Sequence, residues 1–159
     1  MIMRTSKDYP LEFGMLVYIG DQKKFYLLKD HPTPQIDCIA VTPTLCTHMI
    51  KFYVKMPDKV DENGMLVEEG VYADVTGNIP SVVTRKTTSY VTGTNTPGIL
   101  HDEELEVAVQ LNETLEIHKK DLFDLDGKQY TVYDFHTDGT IEDGGILYLT
   151  CRRVAGGDS

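Results

Sequence analysis

Apolar and polar residues alternate with a period of two through much of this chain. No long segment repeats apolar residues at i, i+3, i+4 and i+7, so the pattern predicts strands and gives little helix signal. Two β-rich runs, Met15–Ile19 and Lys24–Leu28, flank a short turn containing Gly20 and predict a hairpin. In "HPTPQIDCIAVTPT" the prolines Pro32, Pro34 and Pro43 predict an irregular or edge segment, because proline has no N–H to donate to a central ladder. "MIKFYVKM" sets Ile50, Phe52, Val54 and Met56 against Lys51, Tyr53 and Lys55. The "DENG" that follows is a turn signal ahead of "MLVEEGVYADV".

The clearest strand is "ELEVAVQL", Glu104–Leu111, where Leu105, Val107, Val109 and Leu111 oppose Glu104, Glu106, Ala108 and Gln110. One buried face and one wet face are expected there. In "DLFDLDGKQYTVYDF", Asp126-Gly127 separates two β-capable runs. Asp-Gly supplies the positive φ angles of a two-residue hairpin turn. "ILYLTCRRV" alternates Leu147, Leu149 and Cys151 against Ile146, Tyr148, Thr150 and Arg152, which places Cys151 in the core rather than in chemistry.

Many short strands joined by turn signals predict an all-β fold, a small antiparallel β-barrel or sandwich, with residues 1–159 as a single domain. The exception to the regular pattern is Ser81–Gly98, rich in Ser and Thr and poor in large apolar residues. It is expected to be one long polar loop or hairpin projecting from the domain, a length that usually accompanies a task. Residues 155–159 are expected to form a flexible tail.

Composition changes this picture little, with 41% apolar and 25% charged residues. Charge changes it more. The net charge is −10, distributed as 8 Lys/Arg against 6 Asp/Glu in residues 1–59 (+2), 2 against 11 in 60–118 (−9) and 5 against 8 in 119–159 (−3). The two cations of the middle third are Arg85 and Lys86. This balance offers no basic patch of the kind that grips phosphates, so nucleic-acid affinity is not expected from it. No apolar run has the length of a membrane span, and the N-terminal residues show no signal-peptide pattern. Cys38, Cys46 and Cys151 are odd in number and lack CxxC spacing, which predicts reduced thiols.

Candidate chemistry is sparse. Cys46 and His48 would share a strand face, but a nucleophile also needs a low-pKa setting and an orienting third group, and neither is marked. His31, Cys38, Cys46 and His48 lack the tight paired spacing of structural zinc ligands. "DLFDLDG" and "HTDGTIEDGG" lack the alternating ligands and distal Glu of a calcium loop, and their Asp and Gly serve turns. Gly144-Gly145 and Gly156-Gly157 lack the strand–GxGxxG–helix setting of a phosphate loop. The expectation is no enzyme and no cofactor or metal.

Residues 104–153 carry a recognisable order: a strand, a polar lead-in, Leu122–Leu125, Asp126-Gly127, Tyr130–Asp134, a loop, and Gly145–Arg153 of the form "GILxLTxxR". This order resembles the end of head–tail connector proteins of tailed bacteriophages, particularly the head-closure or stopper type of neck protein. The resemblance implies a small β-barrel in the virion, assembled as a homo-oligomeric ring between the portal or adaptor protein and the tail proteins. In that family a loop or hairpin narrows the channel, with passing contact to DNA and no sequence recognition. Arg85 and Lys86, with Arg152 and Arg153 at the end of the last strand, are then the expected interface or channel residues. The alternative expectation is a ligand- or glycan-binding β-module on a virion, in a decoration or receptor-binding role.

Overall fold

The computed structural model describes residues 1–8, 11–86, 104–112 and 116–154. Among them every regular element is a strand: β1 (Met3–Thr5), β2 (Leu16–Ile19), β3 (Lys24–Leu27), β4 (Thr33–Pro34), β5 (Ile39–Val41), β6 (Thr44–Leu45) and β7 (His48–Lys55). There follow β8 (Lys59–Val60), β9 (Leu66–Glu68), β10 (Tyr72–Lys86), β11 (Glu104–Gln110), β12 (Leu122–Leu125), β13 (Lys128–Thr140) and β14 (Gly144–Arg153). Six of these close an antiparallel barrel in the order β10-β11-β14-β13-β12-β7. The barrel expected from the alternating pattern is the observed architecture.

Alternation fills the barrel. Ile50 and Phe52 of β7, Leu105, Val107 and Val109 of β11, Phe123 and Leu125 of β12, and Tyr130 and Val132 of β13 meet Leu147, Leu149 and Cys151 of β14 in one buried cluster. Phe123 packs edge-on to Phe52 at 5.3 Å and stacked on Tyr130 at 5.5 Å, so three rings form the centre. Each fully buried side chain of this size contributes about 1.5–3 kcal/mol of transfer free energy. Closing the sheet on itself also removes edges that an open sheet would expose.

Turn chemistry sets the registers. Leu125 pairs with Lys128 across Asp126-Gly127, whose φ angles of 52° and 78° are those the two-residue turn demands. β13 carries a bulge between Val132 and Asp134, and β10 one between Asp74 and Asn78. At the second, the Thr76 hydroxyl oxygen accepts the Phe52 N–H at 3.1 Å, supplying an acceptor where the ladder is interrupted.

Outside the barrel lie three smaller sheets: β1-β5-β4, β2-β3-β6 and the hairpin β8-β9. β2 and β3 form the hairpin expected around Gly20, and Pro34 lies in β4 at the edge of its sheet. A second buried cluster joins Phe13 and Leu27 to Val82, Ala108 and Ile146, with Leu16, Cys46 and Tyr148 packed against it. β10, β11 and β14 are therefore covered on their outer side as well as their inner one. This corrects the expectation of a wet face on β11: Ala108 is 1% exposed. The pattern marks Ala108 as polar-face only because its neighbours Glu106 and Gln110 are polar.

The proposed excursion is also corrected. Ser81–Lys86 is the last part of β10, pairing with His48 on one side and with β11 on the other. Val82 is core, and Ser81 is fully buried with its hydroxyl donating to the Ile79 carbonyl at 2.9 Å. A Ser/Thr-rich segment reads as loop by composition, yet small hydroxyl side chains fit a strand whose outer face meets another layer. Residues 87–98 of that expectation, and the tail 155–159, lie outside the described residues. Met56, expected on the apolar face of β7, lies beyond that strand and is exposed.

Candidate functional site

The barrel has two ends, and the antiparallel order decides which residues share one. β10 finishes at Lys86, β11 starts at Glu104, β14 finishes at Arg153, β13 starts at Lys128, and β7 starts at His48. The four cations singled out in the sequence, Arg85, Lys86, Arg152 and Arg153, therefore come together at one end. Register then divides them. Arg85 is the cross-strand partner of Leu105, and Arg153 of Tyr130, both core residues, so these two arginines share the inward parity and lie at the barrel mouth. Lys86 pairs with Glu104, and Glu104 with Arg152, which puts Lys86 and Arg152 on the outer face.

Arg85, Lys86 and Arg152 each meet carboxylates of their own chain. The Arg85 guanidinium lies 3.7 Å from the Asp126 carboxylate, which His48 Nε2 approaches to 4.0 Å. Lys86 Nζ lies 3.8 Å from Glu104 and 3.6 Å from Glu106, and Arg152 Nε lies 3.7 Å from Glu104. Arg152 also covers the Tyr133 ring at 3.7 Å from its centroid, a cation–π contact. These are partly exposed pairs of modest individual strength. They fix side-chain orientation around the mouth more than they stabilise the fold. Beneath it, burial raises the Tyr130 phenol above its ordinary pKa, while Arg85 and Arg153 pull it back.

The residues weighed for catalysis and for metal binding each have other neighbours. Cys46 packs beside the second core, and burial raises its thiol to about 11, opposite to what a nucleophile needs. His48 Nδ1 is 2.8 Å from the neighbouring Thr47 hydroxyl. His31 stacks on Phe13 at 4.5 Å, and the Cys38 thiol lies 3.3 Å from the Gln35 amide oxygen. Among the described residues no group of three His, Cys, Asp or Glu is arranged to hold a metal ion. Likewise, no described helix is long and apolar enough to cross a membrane.

Sequence reasoning missed two features. The first is a cavity of about 390 Å³ at the β10 bulge, lined by Leu16, Val75 and Pro80 and by the uncharged polar side chains of Thr76, Asn78, Gln110 and Asn112. Its residues come from strands far apart in sequence, so no local motif announces it. The second is the exposed apolar surface of the hairpin β8-β9, whose turn "DENG" marks; the hairpin leaves the barrel at the end opposite the arginines, between Lys55 of β7 and Tyr72 of β10. Met56, Val60, Met65, Leu66, Val67, Val71 and Tyr72 are all exposed there. A signal was present: Met65-Leu66-Val67 is a contiguous apolar run where an outward hairpin would alternate.

No protein-family model, curated protein or solved structure matches this chain.

Proposed function

We propose that this protein is a structural subunit of a tailed-phage neck, assembling as a ring between portal and tail that closes the DNA channel and docks the tail. It works by assembly, without a cofactor. The observation that carries the reading is the order of three consecutive barrel strands, β12, β13 and β14, joined by the Asp126-Gly127 turn and ending in Arg152 and Arg153. That order is the one in which the sequence resembles head-closure connectors. The clustering of four cations at one barrel end, on a chain of net charge −10, is compatible with a surface that meets partners or a channel. An acidic wall elsewhere lets DNA pass without adhering.

The test is at the level of particles. DNA-packed heads that lack this chain should lose DNA or fail to join tails, and the purified chain should restore both. Heads that retain DNA and acquire tails equally well without it would sink the proposal. The cavity at the β10 bulge favours one second reading, a ligand- or glycan-binding module on a virion. Uncharged amide and hydroxyl groups beside apolar walls suit a neutral polyhydroxylated ligand. Saturable glycan binding that Asn78→Ala abolishes would support this reading over the neck.

A further inference from the structure

The second half of β13 has one neighbour where a barrel strand ordinarily has two. β12 pairs with β13 only from Lys128 to Thr131, and the backbone of Lys120 and Asp121 reaches one residue further, to Val132. Beyond Val132, among the described residues, β13 pairs with β14 alone, from Asp134 to Thr140. Residues 133–140 are exposed on both faces of the strand. An exposed, unpaired strand edge is a template for a further strand.

Parity identifies the groups along that edge. The Gly145 carbonyl accepts the Leu111 N–H, so Gly145 faces β11 and its neighbour Ile146 faces β13. Ile146 is opposite Asp138, so Asp138 turns its backbone towards β14 while Thr137 and Gly139 turn theirs away. The same alternation turns Phe135 outwards. Its N–H is taken by the Asp134 carboxylate, whose pKa is lowered by that bond and by Lys119. The Phe135 carbonyl and both backbone groups of Thr137 and Gly139 therefore line the open edge.

The side chains here select the occupant. Phe135-His136-Thr137-Asp138-Gly139 is complementary to itself about Thr137. Two copies laid antiparallel across a two-fold axis set Thr137 against Thr137, His136 against Asp138 and Phe135 against Gly139. Thr–Thr pairs and imidazole–carboxylate pairs are favourable directly across a sheet. Phe135 has the parity of its core partner Leu149 yet is 41% exposed, and in this pairing its ring lies over a strand glycine, which aromatic residues cover well. The Thr137 N–H groups then bond the Thr137 carbonyls, and each Gly139 N–H bonds the Phe135 carbonyl of the other copy. Neighbouring registers are worse. Centring on Asp138 opposes two carboxylates, and centring on Phe135 needs the N–H that Asp134 holds.

We infer that β13 of one copy pairs edge to edge, antiparallel and centred on Thr137, with β13 of a second copy of this chain. The contact is isologous, the same strand on both sides, and does not depend on the neck reading. One added strand pair makes a small interface, so the association is of the weak, concentration-dependent class.

Native mass spectrometry and sedimentation of the full-length chain across a concentration series test it, with dimers expected for the wild type. Thr137→Pro removes an outward N–H that no bond to β14 uses, so it should leave the melting curve nearly unchanged and weaken dimerisation at least tenfold. His136→Glu sets a carboxylate against Asp138, and Asp138→Lys sets an ammonium against His136. Each alone should weaken dimerisation at least tenfold. An equimolar mixture of these two variants sets the new carboxylate against the new ammonium, and Asp138 against His136, and should recover wild-type association. A wild type that stays monomeric at every concentration overturns the inference. So does a folded Thr137→Pro variant that dimerises like the wild type, and so does a mixture that associates no better than its components. The charge variants decide the matter whether or not Thr137→Pro folds.

Discussion

Cys151 shows how one side chain can look reactive and be inert. Its thiol is fully buried between Leu105 and Val132, its partners across β11 and β13, and burial raises its pKa from 9.0 to about 12. Between those values the unfolded thiol has lost its proton and the folded one has kept it. Fewer protons on the unfolded chain mean that stability falls as pH rises, so this contribution is complete below pH 9 and is lost through about 12. Cys151→Ala should reduce that alkaline slope in a pH series of urea melts, and the wild-type thiol should resist labelling until the protein unfolds. Cys151→Ser leaves a hydroxyl in an apolar site and should cost about 1–3 kcal/mol. Gly127 is a different case. A Cβ there would touch nothing within 4 Å, so any penalty comes from its φ of 78° alone. Gly127→Val should lower the stability by about 1–2 kcal/mol, read as a shifted denaturation midpoint with an unchanged slope.

At the scale of the element, β11 discriminates between a periodic pattern and a packed one. Glu104, Glu106, Ala108 and Gln110 occupy one parity, so by alternation alone Ala108→Glu should be harmless. In the structure Ala108 lies between the barrel and the layer that carries Phe13, Leu27 and Leu16. A carboxylate placed there loses water without gaining a partner, at a cost of roughly 3 kcal/mol or more. Thermal unfolding of Ala108→Glu decides the matter: a melting temperature equal to wild type would mean that the outer layer does not pack on β11. Gln110→Glu, on the same face but only partly buried, provides the control that should be tolerated.

Across the whole molecule the decisive contact is the one that closes the barrel, β7 to β10 and β10 to β11. Removing Ser81–Gly98 would delete the strand segment that pairs with both neighbours, so that variant should fail to give a cooperative melt. Lys86 and Glu104 are cross-strand partners, so a short glycine-containing turn in place of residues 87–103 can join β10 to β11 in the same register. That variant should melt within about 1 kcal/mol of wild type, since loop-closure entropy varies slowly with length. A cooperative melt for the first deletion, or none for the second variant, would contradict the barrel closure described here.

The period of two, the Asp126-Gly127 turn, the "DENG" turn and the leucine face that contains Cys151 were all determined by local sequence. Each depends on the geometry of a strand or on the φ preferences of one or two residues, and such preferences act wherever the segment lies. The fate of Ser81–Lys86 and Ala108, the gathering of Arg85, Lys86, Arg152 and Arg153 at one end, and the position of the exposed hairpin at the other were decided only by tertiary structure. Alternation sorts side chains into two faces but does not say whether a second layer covers the outer one. Likewise, strand order around a closed barrel is set by pairings between residues far apart in the chain, such as Tyr53 with Leu122 and Lys86 with Glu104, which no local pattern encodes.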